Sequence, residues 1–227
     1  MLAARELAVN QLPPQANTWV NRHLIYTHGY GIAANSVNEV TNEGLPRLLV
    51  KDLPPTYEAD LKIARPEIYY GEKTDEYVLV NTKTQEFDYP KGDKNVYTTY
   101  QGKGGVPIRS FLKRALFAFE FLDPQILFTN YLGPESRIMY NRRIDRRVRV
   151  IAPFLDYDSD PYMVVSEGKL YWIQDAYTAS NMYPYSSRSQ GYFNKKAINY
   201  IRNSVKVTID AYNGNICFYL MDNKDPI

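Results

Sequence analysis

Ser204-Val205-Lys206-Val207-Thr208-Ile209-Asp210-Ala211-Tyr212-Asn213-Gly214-Asn215-Ile216-Cys217-Phe218-Tyr219-Leu220-Met221 is the stretch on which the fold turns. Val205, Val207, Ile209 and Ala211 alternate with Lys206, Thr208, Asp210 and Tyr212, which sorts a strand into an apolar face and a charged face. Asn213-Gly214 separates the two runs, and both residue types tolerate positive φ. The pair therefore predicts a two-residue type I′ hairpin. Just upstream, residues 162–165 and 170–174 flank Ser166-Glu167-Gly168-Lys169 and predict a second antiparallel hairpin.

Upstream of these hairpins the pattern changes. Pro13-Pro14, Gly44, Pro46 and Pro54-Pro55 break residues 1–56 into a helical turn, a short strand around residues 23–27 and extended connections, an arm laid over a core. Residues 68–70 and 77–80 read as two strands of a hairpin with a longer loop. Gly102, Gly104, Gly105 and Pro107 then introduce a helical centre from about residue 108 to residue 151, with stops at Pro124 and Gly133-Pro134. The expectation is an α+β fold: an extended arm (1–56), a hairpin and loop (57–106), central helices (107–152) and a C-terminal antiparallel sheet (153–227). Within the centre, Phe111, Leu112, Ala115, Leu116, Phe119 and Leu122 recur at helical spacing while Phe117 and Phe121 make the other side apolar. Such a helix is either buried or docked on a membrane or partner, and burial is the commoner outcome.

Composition bounds the function classes. The 227 residues are 44% hydrophobic, enough for a sizeable core, and 27 basic against 25 acidic residues leave a formal charge of +2. Attraction to a polyanion then has to come from local clustering. The one cysteine, Cys217, excludes an intrachain disulfide and a thiolate metal cage, and reads as a small buried apolar side chain. No window approaches the roughly 20 apolar residues that span a bilayer, and the first residues do not show the basic-then-apolar order of a secretory signal.

Four constellations invite chemistry. Gly29-x-Gly31-x-x-Ala34, with Asp52 about twenty residues on, copies a dinucleotide fingerprint, but residues 35–40 do not read as the helix that must come next; a tight turn is the expectation. His23 and His28 lie on opposite faces of a strand or about 140° apart on a helix, so they read as structural, their ring nitrogens bonded to carbonyls. Asp156-x-Asp158-x-Asp160 with Glu167 at the twelfth place imitates a calcium loop. Pro161 occupies the place of the required glycine, and the strand at residues 162–165 carries Glu167 away, so an acidic turn competes with calcium. Arg137, Arg142, Arg143, Arg146, Arg147 and Arg149 crowd a segment whose Tyr140, Ile144, Val148 and Ile151 form an apolar stripe. Arg142, Arg143, Arg146, Arg147 and Arg149 are the candidate anion-binding face, set against pairing with the chain's own carboxylates. No nucleic-acid motif accompanies them, and no nucleic-acid partner is expected.

The run at residues 18–31, Asn38-Glu39-Val40, Pro153-Phe154-Leu155, Asp160-Pro161-Tyr162, Leu170-Tyr171-Trp172, Asp175-Ala176-Tyr177-Thr178, Arg202-Asn203-Ser204-Val205-Lys206 and Asp225-Pro226-Ile227 together resemble uncharacterised protein family 0182, over most of the chain. The resemblance implies large multi-pass bacterial membrane proteins with a large extracytoplasmic region, of which this chain matches a part. It carries no catalytic residues. It also implies that Met1 marks an artificial boundary or a truncated gene, and Ile227 an early stop. The function expected from it is a non-catalytic binding or assembly module of an integral membrane protein, on the extracytoplasmic side of the cell membrane, with the parent's membrane portion as partner. A cell-envelope hydrolase built from dispersed residues, or a module that uses the arginine face on an envelope polyanion or lipid headgroups, are the alternatives. No cofactor is expected unless calcium occupies the aspartate loop.

Overall fold

Lys169–Ser180 forms a long strand because Leu170, Trp172, Gln174 and Ala176 alternate with half-exposed neighbours, and all four are buried. The computed structural model describes residues 1–58, 62–190 and 197–227, and residues 59–61 and 191–196, within the expected spans 57–106 and 153–227, lie outside the described residues. In chain order the strands are β1 (Leu2–Ala4), β2 (Gly29–Tyr30), β3 (Ile32–Val40), β4 (Pro46–Lys51), β5 (Thr56–Tyr57), β6 (Glu67–Ile68), β7 (Val78–Val80), β8 (Glu86–Lys91) and β9 (Lys94–Thr98). They continue as β10 (Val106–Pro107), β11 (Arg137–Met139), β12 (Asp156–Tyr157), β13 (Tyr162–Ser166), β14 (Lys169–Ser180), β15 (Ser189–Gln190), β16 (Ala197–Ile198), β17 (Tyr200–Asp210) and β18 (Ile216–Leu220). The α-helices are α1 (Phe111–Glu120), α2 (Gln125–Phe128) and α3 (Ile144–Ile151).

The expected α+β arrangement with central helices is overturned. Strand accounts for 38% of the described residues against 16% helix. The strands form antiparallel sheets ordered β1-β3-β4-β5, β10-β11-β7 and β12-β14-β17-β18, with β13 also on β14, and the two-stranded pairs β15-β16, β2-β6 and β8-β9. The expected helical centre is interrupted by β11, whose Ile138 and Met139 are fully buried between β10 and β7. Helical spacing of apolar residues marked α1 and α3, but spacing alone did not distinguish a short buried strand from more helix. The expected arm is also corrected. Residues 1–58 supply a four-stranded sheet whose Ile32, Ala34 and Val50 join the principal core.

Two local elements differ from expectation for identifiable reasons. The strand anticipated around residues 23–27 is instead a π-helical turn, Asn21–Ile25, closed by Tyr26 N donating to Asn21 O at 2.8 Å, which turns His23 and Leu24 inward. Residues 68–70 and 77–80 do not form a hairpin: β6 pairs with β2 and β7 with β11. The chain between them is drawn away because Tyr69 N and Tyr70 N both donate to Ala211 O at 2.9 Å, and Gly71 N donates to Arg142 O at 3.2 Å.

Both C-terminal hairpins are present. β13 and β14 pair with Ser166 opposite Lys169, leaving Glu167 and Gly168 as a two-residue turn at φ 50° and 73°. The β17–β18 turn is longer than the anticipated Asn213-Gly214 type I′ turn. Asp210 N donates to Asn215 O at 2.9 Å, and the Asp210 carboxylate accepts Tyr212 N–H and Asn213 N–H at 2.8 and 3.0 Å, so four residues form the loop and only Gly214 takes positive φ. Val207, Ile209 and Ala211 are fully buried, as the alternation required. Cys217, expected inside, is exposed, because it lies on the edge strand β18 opposite Thr208.

Gly214 is the point where this loop meets the rest of the core. A Cβ there would lie 2.4 Å from the Tyr70 ring, and φ is +72°. Gly214→Ala is expected to lower stability by about 2 kcal/mol or more, from backbone strain and forced movement of a buried ring. Urea denaturation would read this as a lower midpoint at unchanged slope.

Candidate functional site

Residues 18–31 build an aromatic support. Asn21 N donates to Thr18 Oγ1 at 3.2 Å at the start of the π-helical turn, which brings Trp19 and His23 onto β7 and the residues before it. The His23 ring stacks on Tyr77 with centroids 4.1 Å apart, and His23 Nδ1 lies 2.8 Å from Tyr77 O. Because a carbonyl only accepts, Nδ1 carries the proton. Trp19 Nε1 donates to Asp123 Oδ2 at 2.7 Å and to Tyr77 Oη at 3.1 Å, and the Tyr77 hydroxyl donates to the same carboxylate oxygen. Burial raises the Asp123 pKa, but the hydrogen bonds from Tyr77, Trp19 and Gln125 N outweigh it and hold the carboxyl below its usual range.

Asp123 is the corner from which the two helices diverge. Ser110 Oγ caps α1 by accepting Lys113 N–H at 3.3 Å, Leu122 ends it in the left-handed region at φ 51°, and Asp123 Oδ1 accepts Gln125 N–H at 2.9 Å to start α2. The inner face of α1 is aromatic. Phe121 stacks on Tyr77 at 4.7 Å and Phe117 tilts on Tyr140 at 5.5 Å. The opposite face carries Phe111, Leu112, Leu116 and Phe119 within about 140° of one another at 3.6 residues per turn. With Leu122 and Phe128 they are exposed, from 59% at Leu116 to 84% at Leu122. No residue of α1 is buried, so the expected burial of this helix is corrected: one apolar stripe is used internally and the other faces outward. Arg109 and Lys113 are exposed at its N-terminal end.

The arginine segment does not form one continuous face. Arg142 is buried, its guanidinium donating to Tyr69 O at 2.7 Å, Glu76 O at 3.1 Å and Thr27 O. Arg143 forks onto Asp145 at 2.7 and 2.6 Å, and Asp75 lies 3.7 Å from both Arg143 and Arg146. Arg147 covers the Tyr70 ring at 4.7 Å and donates to Gly214 O at 2.9 Å, and Arg149 covers the Tyr157 ring at 5.2 Å. Arg137 donates to the carbonyls of Lys103, Gly104 and Gly105. The segment thus divides into Arg137 and Arg142 on backbone carbonyls, Arg147 and Arg149 laid on tyrosines, and half-buried Arg143 with exposed Arg146 around Asp75.

Asp156 lies in β12, while Asp158 accepts Asp160 N–H at 3.0 Å and the Tyr177 hydroxyl at 3.0 Å. Glu167 sits at the far end of β13, about 17 Å along a five-residue strand. Among the described residues, no group of three or more His, Cys, Asp or Glu side chains is placed to hold a metal ion. Gly31 has φ +73° and is followed by β3 rather than a helix, and a Cβ on Gly29 would lie 2.3 Å from Arg5 O, so these glycines serve close backbone packing.

Sequence reasoning passed over one cluster. Glu86, 1% exposed, accepts the Thr27 hydroxyl, the Tyr69 hydroxyl at 2.8 Å and Tyr100 N–H at 3.1 Å. The alternation Glu86-Phe87-Asp88-Tyr89 was the available signal, since it aims two carboxylates at one side of a strand. His28 completes the neighbourhood, its ring 4.8 Å from Tyr69.

An antiparallel β scaffold thus carries a support of packed aromatics and an outward apolar ridge on α1. Residues 1–227 match the Uncharacterised protein family (UPF0182), and the chain belongs to that family. It is 57% identical over its full length to a UPF0182 protein of Sulfurovum sp., covering 25% of that protein. It is 55% identical to a UPF0182 protein of Pelotomaculum thermopropionicum and 51% to one of Bradyrhizobium diazoefficiens, in each case over 100% of this chain and 24% of the relative. The chain therefore spans about a quarter of the length of the curated relatives it matches. No solved structure matches it.

The support has a pH signature. Burial depresses the His28 imidazole from 6.5 to about 4, with the Gly29 carbonyl opposing and Arg142 reinforcing the shift. A depressed histidine contributes stability that is complete above about pH 6.5 and is lost as pH falls through about 4. His28→Gln is therefore expected to reduce the loss in urea midpoint between those pH values relative to the parent chain, as followed by circular dichroism.

Proposed function

We propose that the chain is a non-catalytic assembly module of a larger membrane-embedded protein, on the extracytoplasmic side, and that it seats the outer face of α1 and α2 against the membrane surface beside that protein's lipid-embedded portion. The observation that carries this reading is the ridge of Phe111, Leu112, Leu116, Phe119, Leu122 and Phe128, all exposed on a rigidly supported helical corner. Burying each such side chain is worth about 1.5–3 kcal/mol, so leaving six in water is costly unless something covers them. Among the described residues no helix is long and apolar enough to cross a membrane. The ridge suits a helix lying in the interface, with apolar side chains entering the acyl boundary and Arg109 and Lys113 near anionic headgroups. The share of the relatives left uncovered, about three quarters, supports a larger parent.

Co-sedimentation with vesicles of phosphatidylglycerol and phosphatidylcholine tests it. The parent chain is expected to bind, more weakly when phosphatidylglycerol is omitted, and Phe119→Asp is expected to weaken binding by about tenfold or more. Because Phe119 is exposed, the same variant should change folding stability by no more than about 0.5 kcal/mol. Absence of vesicle binding, or equal binding by Phe119→Asp, would overturn the membrane seat.

A further inference from the structure

The pairing of β2 with β6 sets Tyr30 opposite Glu67, and His28, just before β2, lines the same cleft as Tyr30. Asp88 of β8 is close enough to perturb Tyr30, and the Tyr30 and Tyr89 rings lie 4.7 Å apart. Three side-chain atoms here are buried without a hydrogen-bond partner: His28 Nε2, Glu67 Oε2 and Asp88 Oδ1. His28 is only 2% exposed, and its Nδ1 lies 3.0 Å from Gly29 O. That carbonyl only accepts, so Nδ1 holds the proton and Nε2 presents a bare lone pair. Glu67 Oε2 and Asp88 Oδ1 are likewise acceptors when their carboxyls are ionised, and each unmade bond of this kind costs about 1–3 kcal/mol.

The neighbouring charges are already engaged. Glu86 is satisfied by Thr27, Tyr69 and Tyr100, and Arg142 is spent on three carbonyls. Arg65 donates to Tyr212 and Gln101, Arg5 to Asp52 O, and Glu6 accepts Glu72 N–H and Lys73 N–H. No donor among these reaches the orphaned oxygens of Glu67 and Asp88. A cleft of about 280 Å³ opens on this spot, with His28 and Asp88 in its lining and Leu7, Leu53, Phe87 and Pro90 as apolar walls. It is too small for a drug-sized ligand and, among the described residues, has no metal-holding group.

We propose that this cleft binds a primary ammonium group on a short apolar stem, such as a lysine-like side chain or an alkylamine, with Asp88 Oδ1 and His28 Nε2 accepting its N–H bonds. An ammonium is all donor and carries the charge that the Asp88–Glu67 pair lacks, while Tyr30, Phe87 and Tyr89 cover its methylenes and add cation–π attraction. Burial, with Glu67 and Glu86 nearby, raises Asp88 from 3.8 to about 7, so the acceptor becomes an anion as pH rises through neutrality. An alkylamine stays protonated across that range.

The test is an NMR titration of the full chain with n-butylammonium chloride, with n-butanol as the neutral probe. Saturable shifts at Gly29, Tyr30, Glu67 and Asp88 are expected at millimolar butylammonium, about tenfold weaker at about pH 5 than at about pH 8, and none with butanol. Asp88→Asn, which keeps the shape and removes the charge, should weaken binding by about tenfold or more at about pH 8 while leaving the circular dichroism spectrum unchanged. Equal shifts with butanol, no saturable shift with butylammonium, or affinity independent of both pH and Asp88→Asn would each overturn the proposal. If Asp88→Asn fails to fold, the butanol and pH comparisons on the parent chain decide it.

Discussion

The buried guanidinium of Arg142 is the constraint around which the rest is arranged. Removing a cation from water costs several kcal/mol, and that cost is met here by backbone carbonyls rather than by a paired carboxylate. Thr27 O follows the π-helical turn, Tyr69 O and Glu76 O lie in the segment between β6 and β7, and Arg142 itself stands at the entry to α3, so one side chain fixes these three stretches in one register. Burial lowers its pKa to about 10, which leaves it charged at neutral pH. Glu86 then answers electrostatically from across Thr27, whose carbonyl accepts from Arg142 and whose hydroxyl donates to Glu86. Placing a charge at the crossing of three loops makes alternative packings costly, because each strands a cation.

That crossing also explains why α1 is turned outward. Tyr77 sits one residue beyond Glu76, and its ring is stacked between His23 and Phe121. Fixing Glu76 O on Arg142 therefore fixes the platform on which α1 lies, and the Asp123 bonds to Trp19 and Tyr77 fix its end. The platform accepts only Phe117, Ala118 and Phe121. The other stripe of the helix has no room inside, and its exposure is a consequence of the support rather than of loose packing.

The sequence showed what depended on near neighbours and concealed what depended on distant ones. Period-two alternation located β17, the turn Ser166-Glu167-Gly168-Lys169 located the start of β14, and the resemblance carried by residues 18–31 and the later motifs identified the family. The spacing of Phe111, Leu112, Leu116 and Phe119 located α1 but did not tell which of its two apolar stripes would be covered, since that was decided by Tyr77 and Tyr140. The same holds for the arginines. Six in a helical segment looked like one charged face, yet the backbone at residues 137–143 is a strand and a loop, so Arg137 and Arg142 turn onto carbonyls. β6 and β7 read as partners because they are close in sequence, and the Ala211 carbonyl, about 140 residues away, separates them. The Asn213-Gly214 turn lengthened because the Asp210 carboxylate captured two N–H groups, a local effect visible in the residue types but not in the dipeptide rule.

Polar satisfaction divides the molecule into scaffold and candidate sites. Asp225 accepts from Thr178, Ser204, Tyr200 and the Ile227 N–H, and these bonds overcome burial to hold its carboxyl well below the usual range. Asp123 and Arg142 are similarly complete. Where a network closes on itself, an added ligand has nothing to gain. The neighbourhood of His28, Glu67 and Asp88 is different, because its acceptors outnumber its donors although the polar groups around it are matched. The ridge of α1 is the apolar counterpart, with surface removed from the core by a platform that is itself fully packed. The remaining buried side-chain atom without a partner among the described residues is Gln174 Oε1, so three of the four gather in the one neighbourhood of His28, Glu67 and Asp88.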